Sequence, residues 1–342
     1  MKKIRLLVLL LTAVVLCSLF TSCKKNVGTP EDNAVSEKDT QEEVDSKEKE
    51  EEENDQILIG YSISDMSNPF FATIESAIKE ETDKMGYELI TKDPANDQDV
   101  QLAQIQEMIE AGVDIVILSP VDYEKVTPTL KALSDAKVKV INVYSRVKDN
   151  QYTEGYIGSD NAYAGNLCGE KIIEDMPNGG NIAILEYRAQ SAVTDVVTSF
   201  EETISKAEKG FEVIGREDAN GSKETAYNAT KELFNTNPDI EVLMCGNDTM
   251  AIGALQAVNE LGKNESVKIY SIGGSPDIKT LINDEGSAIV ATVALSPINI
   301  GKSTFEVLQD ILNKKTFESE VKESVYLITK ENVDIYGIDG WQ

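Results

Sequence analysis

The sequence predicts an α/β protein of two lobes, each built on a parallel sheet that helices cover on both faces. Three observations predict this class. From residue 56 onward, short apolar runs alternate with longer amphipathic stretches of helical length. The same alternation occurs in two successive halves of the folded part. Polar residues such as Ser64 and Asn68 follow the first apolar run, at the position where ligands bind to parallel sheets.

The length and composition allow two medium-sized domains and exclude two classes of function. The chain has 342 residues, of which 41% are hydrophobic, enough for sizeable cores. A formal net charge of -28 argues against nucleic acid binding, which requires Lys and Arg to neutralise phosphates. The sequence has no histidine, so chemistry that depends on an imidazole is excluded.

Residues 1–22 have the pattern of a secretory signal peptide. Basic residues precede an apolar run at 6–16 that is too short to favour a membrane span. Thr21 and Ser22, directly before Cys23, resemble a bacterial lipoprotein signal, in which the cysteine is lipidated and becomes the mature N-terminus. The alternative is an ordinary secreted protein in which Cys23 stands at the cleavage point by chance.

The composition of residues 23–55 predicts an acidic, disordered tether. They contain almost no large apolar side chain and include a run of glutamates at 50–53. Such a segment cannot offset its ordering entropy, and repulsion between its charges extends it. We expect the tether to hold the folded part away from the membrane.

The first half of the folded part begins with an apolar strand, a polar loop and a helix. Pro69 suits the first turn of that helix because its φ angle is fixed. The predicted elements are strand 57–63, helix 69–85, strand 87–90, helix 99–111, strand 113–118, a helix ending at 136, strand 138–144 and a strand starting over 155–158.

The second half repeats the scheme. The predicted elements are helix 162–175, strand 181–187, helix 193–207, strand 211–215, helix 223–234, strand 240–245, helix 249–261, strand 267–272, a short helix after 276, strand 288–294, helix 297–312 and strand 324–329. Two cysteines of the folded part, Cys168 and Cys245, are expected to be free buried thiols.

Five blocks of this pattern resemble the periplasmic sugar-binding proteins of the ribose-binding type. The blocks keep the order and spacing of that family from about residue 56 to residue 330. They are Ile59 to Phe71 with Asn68-Pro69-Phe70-Phe71, Gly112 to Asp122, Ser159-Asp160-Asn161, Gly246-Asn247-Asp248 with the helix that follows, and Ser275-Pro276-Asp277.

The resemblance implies the type I periplasmic binding protein fold, with two Rossmann-like lobes joined by a three-strand hinge. The crossings are expected near Ser159-Asp160, Ala294-Leu295 and Glu323-Ser324. This makes the N-terminal lobe 56–159 plus 296–323 and the C-terminal lobe 160–295 plus 324–342. The ligand is expected in the cleft between the lobes, which closes around it.

The resemblance also implies which side chains contact the ligand. Asn68, Phe70 and Phe71 align with the first binding loop, Asn247 with a binding asparagine, and Arg146 with the arginine of an Asp-Arg pair. Asp248 is expected to cap its helix instead. The complete set of candidate ligand-binding residues is Ser64, Asn68, Phe70, Phe71, Tyr144, Arg146, Tyr187, Arg188 and Asn247.

Four positions depart from the ribose pattern. Ser145 replaces the aspartate before the arginine, Thr194 a second arginine, Gly273 an aspartate after a strand, and Leu295 a hinge glutamine. Because each unmatched buried polar partner costs about 1 to 3 kcal/mol, binding of ribose in the usual manner is not expected. The remaining side chains suit a ligand with one flat or apolar face, such as a modified sugar, a cyclitol, a furanose signalling molecule or a nucleoside.

The leading interpretation is an extracytoplasmic solute-binding lipoprotein, anchored to the outer face of a bacterial cell membrane. It would act as a monomer, without cofactor or metal, and deliver a sugar-like ligand to an ABC permease. The alternative is a co-receptor that docks on a sensor kinase or chemoreceptor. An enzyme is disfavoured because histidine and a nucleophile motif are absent, and a repressor core because the export signal is present and a DNA-binding headpiece is missing.

Overall fold

The computed structural model describes residues 56–342. The predicted signal peptide, the lipidation site Cys23 and the predicted tether therefore lie outside the described residues. Within the described range, no helix has the length and apolar character needed to cross a membrane. The helices are α1 (Pro69–Met85), α2 (Gln98–Glu110), α3 (Thr127–Asp135), α4 (Asn161–Asp175), α5 (Ser191–Ile204), α6 (Lys223–Thr236), α7 (Asp248–Glu260), α8 (Pro276–Asn283), α9 (Pro297–Leu312) and α10 (Val333–Tyr336).

Two six-stranded sheets form the centres of the two lobes. All pairs of neighbouring strands are parallel except one antiparallel pair at the edge of the second sheet. The first sheet has the order β11 (Glu320–Glu323), β5 (Gly155–Ser159), β4 (Lys139–Val143), β3 (Ile115–Leu118), β1 (Leu58–Ser62) and β2 (Glu88–Lys92). The second has the order β12 (Tyr326–Thr329), β10 (Ile289–Ala294), β9 (Lys268–Gly273), β8 (Val242–Cys245), β6 (Gly180–Glu186) and β7 (Phe211–Asp218). The predicted α/β class is confirmed.

The chain passes between the two sheets three times. It leaves the first sheet after β5, returns after β10 through α9, which packs on α1, and leaves again between β11 and β12. Each sheet is therefore built from separate parts of the chain. In sheets of this kind, the carboxyl ends of the parallel strands meet at one edge, so the loops of both lobes can converge there.

Helix α1 shows how the sequence defines an element next to the site. The Asn68 side chain accepts a hydrogen bond from Phe70 N, Pro69 occupies the first turn, and Gly86 ends the helix with φ 71°. A side-chain cap, a proline and a left-handed glycine are the usual start and stop signals of a helix. The buried face carries Phe70, Phe71, Ile74, Ile78 and Thr82.

Strand β11 was not predicted. Its sequence Glu-Val-Lys-Glu has no apolar run, and it lies at the edge of the first sheet, where its side chains stay partly exposed. The strand predicted at 324–329 corresponds to β12, which begins two residues later. Cys168 and Cys245 are both buried, and no disulfide joins them.

Candidate functional site

A cavity of about 380 Å³ lies between loops that follow strands of both sheets. Its size is within the range of small-molecule sites. The residues that line it are Ser67, Asn68, Pro69, Phe70, Tyr144, Lys223, Gly246, Asn247, Asp248, Thr249, Ile252, Ile272, Gly273, Ser275, Pro276, Asp277, Leu295 and Trp341. One wall is rich in aromatic rings, and the facing loops of the second lobe are rich in polar groups.

The first-lobe wall starts at the N-terminus of α1. Asn68 Oδ1 accepts a hydrogen bond from Phe70 N at 3.0 Å, which leaves the Asn68 amide NH2 group as a donor for a ligand. Phe70 is buried and packs against Tyr144, with the two ring centroids 5.2 Å apart. The helix cap therefore holds an amide donor and an aromatic ring side by side.

Tyr144 has an unusual backbone conformation. Its φ angle is 64°, and Ser145 N donates to Val143 O at 2.8 Å, which closes a tight turn around it. Tyr156 Oη donates to Tyr144 O at 2.8 Å and helps to hold this turn. Bulky residues rarely adopt a positive φ, and such strain concentrates at functional sites. Burial raises the pKa of Tyr144, so its hydroxyl stays protonated.

The second-lobe wall is built around the start of α7. Asn247 caps this helix, because its Oδ1 accepts a hydrogen bond from Met250 N at 2.8 Å. Asp248 bonds to neighbouring strands instead: its Oδ1 accepts from Ser271 Oγ at 2.7 Å and from Thr292 Oγ1 at 3.0 Å. The prediction that Asp248 caps the helix was therefore wrong.

The Asp248 carboxylate occupies the space beside Gly273. Asp248 Oδ2 accepts from Ser275 N at 2.7 Å, and a Cβ atom at position 273 would lie 2.5 Å from that oxygen. Burial raises the pKa of Asp248, while its hydrogen bonds from Ser275, Ser271 and Thr292 oppose the shift. The family resemblance implies an aspartate at position 273. In this structure the Asp248 carboxylate, which follows the neighbouring strand β8, lies beside that position instead.

Four of the predicted site residues line the cavity: Asn68, Phe70, Tyr144 and Asn247. The two predicted arginines do not. Arg146 Nη2 lies 2.6 Å from Glu320 Oε1, and its guanidinium lies 3.7 Å from the centre of the Tyr156 ring. Arg188 lies 2.8 Å from Glu186 and is 59% exposed. The cation that lines the cavity is Lys223.

The other three predicted residues do not line the cavity. Phe71 packs behind Tyr144, with ring centroids 5.2 Å apart. Ser64 is buried, and its carbonyl accepts from Asn96 N at 2.7 Å. Tyr187 Oη donates to Asn96 Oδ1 at 2.8 Å, which connects the second lobe to the first. Burial raises the pKa of Tyr187 to about 12.

Two of the four departures line the cavity and two do not. Gly273 and Leu295 line it, so an apolar surface stands where an amide was expected. Thr194 Oγ1 donates to Gln190 O at 3.2 Å at the start of α5, and Ser145 Oγ lies 3.1 Å from Ser191 Oγ. Both side chains are thus used in contacts outside the cavity.

Trp341, Lys223 and Asp277 line the cavity and were not predicted as site residues. Asp277 lay in a block that carries the family resemblance, and it lies in the first turn of α8, so an available signal was its place at the start of a predicted helix. Lys223 begins α6 and Trp341 follows the last helix, and neither has a local pattern that indicates a ligand. Only the folded chain brings these residues to the cleft.

The two α/β lobes with a cavity between their strand-end loops define a solute-binding protein. Residues 59–316 match the family model of the periplasmic binding protein domain. The chain belongs to this family, whose members bind solutes outside the cytoplasm and are not enzymes.

Individual relatives support the same assignment. The chain is 28% identical over 278 residues to the ribose import binding protein of Salmonella typhimurium, covering 80% of this chain and 90% of the relative. It is 28% identical to the fructose import binding protein of Bifidobacterium longum, covering 77% and 82%. A Bacillus halodurans ABC transporter solute-binding protein with bound myo-inositol superposes with a TM-score of 0.76 at 26% identity, covering 82% and 97%.

Proposed function

We propose that this protein binds a small uncharged polyol, a sugar or a cyclitol, in the cavity and presents it to an ABC permease. The observation that carries the proposal is the composition of the two walls. Phe70, Tyr144 and Trp341 form an apolar surface, while Asn247 and Asp248 lie among the polar groups of the second lobe. Sugars and cyclitols combine apolar C–H faces with rings of hydroxyl groups, so they complement both walls.

Ligand binding across the cleft would change the arrangement of the two lobes, and a permease could recognise that change. A ligand that contacts both walls stabilises the arrangement in which the lobes are together. The proposed lobe boundaries are 56–159 plus 296–323 and 160–295 plus 324–342, with the three passages between the sheets as the hinge. The permease would recognise the closed arrangement, and the relatives named for import favour this role over that of a co-receptor for a sensor kinase.

The departures from the ribose pattern set an expectation for selectivity. Arg146 is engaged with Glu320 and Tyr156, and Leu295 replaces a hinge amide at the cavity wall. Fewer fixed polar partners reduce the discrimination of a polyol by its hydroxyl pattern. We therefore expect ribose to bind more weakly than another polyol in a panel that includes myo-inositol and D-fructose.

Asn68→Asp tests the site directly. The aspartate keeps an oxygen that can cap α1 but removes the NH2 donor, so the fold should persist while affinity falls about ten-fold or more. Isothermal titration calorimetry with the panel measures affinity, and thermal unfolding without ligand checks stability. Unchanged affinity with the tightest ligand would remove Asn68 from the site, and the absence of any binding polyol would count against the proposed function.

We also propose lipid anchoring through Cys23, which rests on the residues around the predicted cleavage point. Replacing Cys23 by Ser removes the thiol that would carry the lipid. The variant is expected in the soluble fraction of a cell lysate, whereas the wild-type protein sediments with membranes. Continued sedimentation of the variant would contradict anchoring at this position.

A further inference from the structure

The segment Gly337–Gln342 follows α10 and returns to the cavity. It carries Trp341, the single tryptophan of the sequence, and this side chain lines the cavity. The Trp341 ring centroid lies 5.7 Å from that of Phe70, with the ring planes at 73°. This edge-to-face geometry is a favoured contact between aromatic rings. The segment therefore adds a third ring to the wall formed by Phe70 and Tyr144.

A buried lysine holds this segment in place. Lys279, on α8, is fully buried, and its Nζ donates to Gly337 O at 2.6 Å and also to Gly340 O. Fully buried lysines are rare unless their ammonium group is paired or hydrogen-bonded. Burial lowers the pKa of Lys279, while the carboxylates of Asp248 and Asp339 oppose this shift. The ammonium group thus fixes the backbone on both sides of the turn before Trp341.

Two further contacts fix the end of the segment. Ser296 Oγ donates to the main-chain oxygen of Gln342, and Gln342 Nε2 donates to Tyr336 O at 3.1 Å. Ser296 lies in the connection between β10 and α9, one of the three passages between the lobes. Trp341 is therefore held from the second lobe and from a hinge connection while its ring contacts Phe70 of the first lobe.

We infer that Trp341 is a ligand-binding residue that packs against an apolar C–H face of the bound polyol, and that Lys279 is the residue that positions it. This inference rests on the proposed function and extends it to a segment outside the matched family region, which ends at residue 316. A rigid aromatic ring provides a large contact area at low conformational cost. Asn247 and Asp248, whose polar groups suit hydroxyls, line the same cavity.

Tryptophan fluorescence tests this role, because Trp341 is the single tryptophan and excitation at wavelengths that tyrosine does not absorb selects its emission. The probes are myo-inositol, D-fructose and D-ribose. Binding is expected to shift the emission spectrum and to reduce quenching by acrylamide. Trp341→Ala is expected to weaken calorimetric affinity about ten-fold, and Trp341→Phe much less, because a ring remains. Tyr163→Ala, which removes a half-exposed ring outside the cavity, is the matched control with unchanged affinity.

Lys279→Met tests the positioning role. Without the ammonium donor that binds Gly337 O and Gly340 O, the segment is expected to detach, so ligand-free emission shifts to longer wavelength while circular dichroism stays native. Wild-type emission in this variant would overturn the role of Lys279. Equal affinity of the wild type and Trp341→Ala for a probe that binds would overturn the inference and leave the proposed function intact. If none of the probes binds the wild type, the proposed function and the inference both fail.

Discussion

At the residue scale, Asp248 and Gly273 together set the chemistry of the second-lobe wall. The carboxylate is held by two hydroxyl groups and one main-chain N–H. Such a network fixes the carboxylate before a ligand arrives, so little ordering cost remains for binding. Gly273 has φ 149°, and its missing side chain leaves the space that this carboxylate fills. The position of the Asp248 carboxylate therefore requires a residue without a side chain at position 273.

Gly273→Ala is predicted to destabilise the protein. An alanine there has an unfavourable φ angle and places its Cβ 2.5 Å from Asp248 Oδ2. We expect the free energy of unfolding to fall by about 2 kcal/mol. Urea denaturation followed by circular dichroism measures this change.

Gly210→Ala is the matched control, since an added Cβ at position 210 meets nothing within 4 Å. This variant should unfold at the wild-type urea concentration. Equal stability of Gly273→Ala and Gly210→Ala would show that the space beside Asp248 is not restricted.

The predictions from sequence succeeded where the signal is local. Pro69 was expected in the first turn of a helix, and it is the first residue of α1. The ion pair of Arg146 was not predicted because its partner Glu320 is 174 positions away, on an edge strand that has no apolar pattern. Trp341 was missed because its position depends on Lys279, a buried lysine that no periodicity distinguishes from an exposed one.

At the element scale, the loop between β6 and α5 connects the lobes beside the cavity. Gln190 is buried, and its Nε2 donates to Pro120 O at 2.8 Å and to Val121 O at 3.0 Å. Tyr123 N donates to Ala189 O at 3.1 Å in the same region. These bonds join residues of the two lobes without contributing to the cavity wall. They therefore stabilise the arrangement in which a ligand contacts both walls.

Gln190→Ala is predicted to weaken ligand binding although Gln190 does not line the cavity. The variant loses two hydrogen bonds that require the lobes to be together, so the closed form becomes less populated. We expect an affinity loss of about ten-fold, mainly through faster dissociation. Stopped-flow fluorescence and calorimetry measure the two quantities.

Gln151→Ala, which alters an exposed glutamine on the first lobe, provides the control. Its dissociation rate should equal that of the wild type. A wild-type rate in Gln190→Ala would mean that the β6–α5 loop does not contribute to closure.

The elements themselves were largely predictable. Helices α1 and α9 have the predicted bounds, because each begins with a proline and continues with a regular apolar face. Strand β11 could not be predicted, since it is defined by its pairing with β5, more than 150 positions earlier in the chain. Short edge strands depend on neighbours that are distant in sequence, and their own residues carry little of the signal.

At the scale of the whole molecule, two sheets direct their strand-end loops toward one cavity, and three passages join them. The acidic composition, with a formal net charge of -28, favours an uncharged ligand over an anionic one. The residues that line the cavity include two acidic side chains, Asp248 and Asp277, and one basic side chain, Lys223. Fold, charge and wall composition thus all support the proposal of a neutral polyol held between two lobes.

A crystal structure of the complex with the tightest-binding polyol of the panel tests this account most directly. The ligand is predicted to lie in the cavity, with an apolar face against Phe70 and Trp341 and its hydroxyls toward Asn68, Asn247 and Asp248. Contacts from both lobes are required, because one-sided binding would not favour closure. A ligand bound elsewhere, or bound to one lobe with the other withdrawn, would contradict the account.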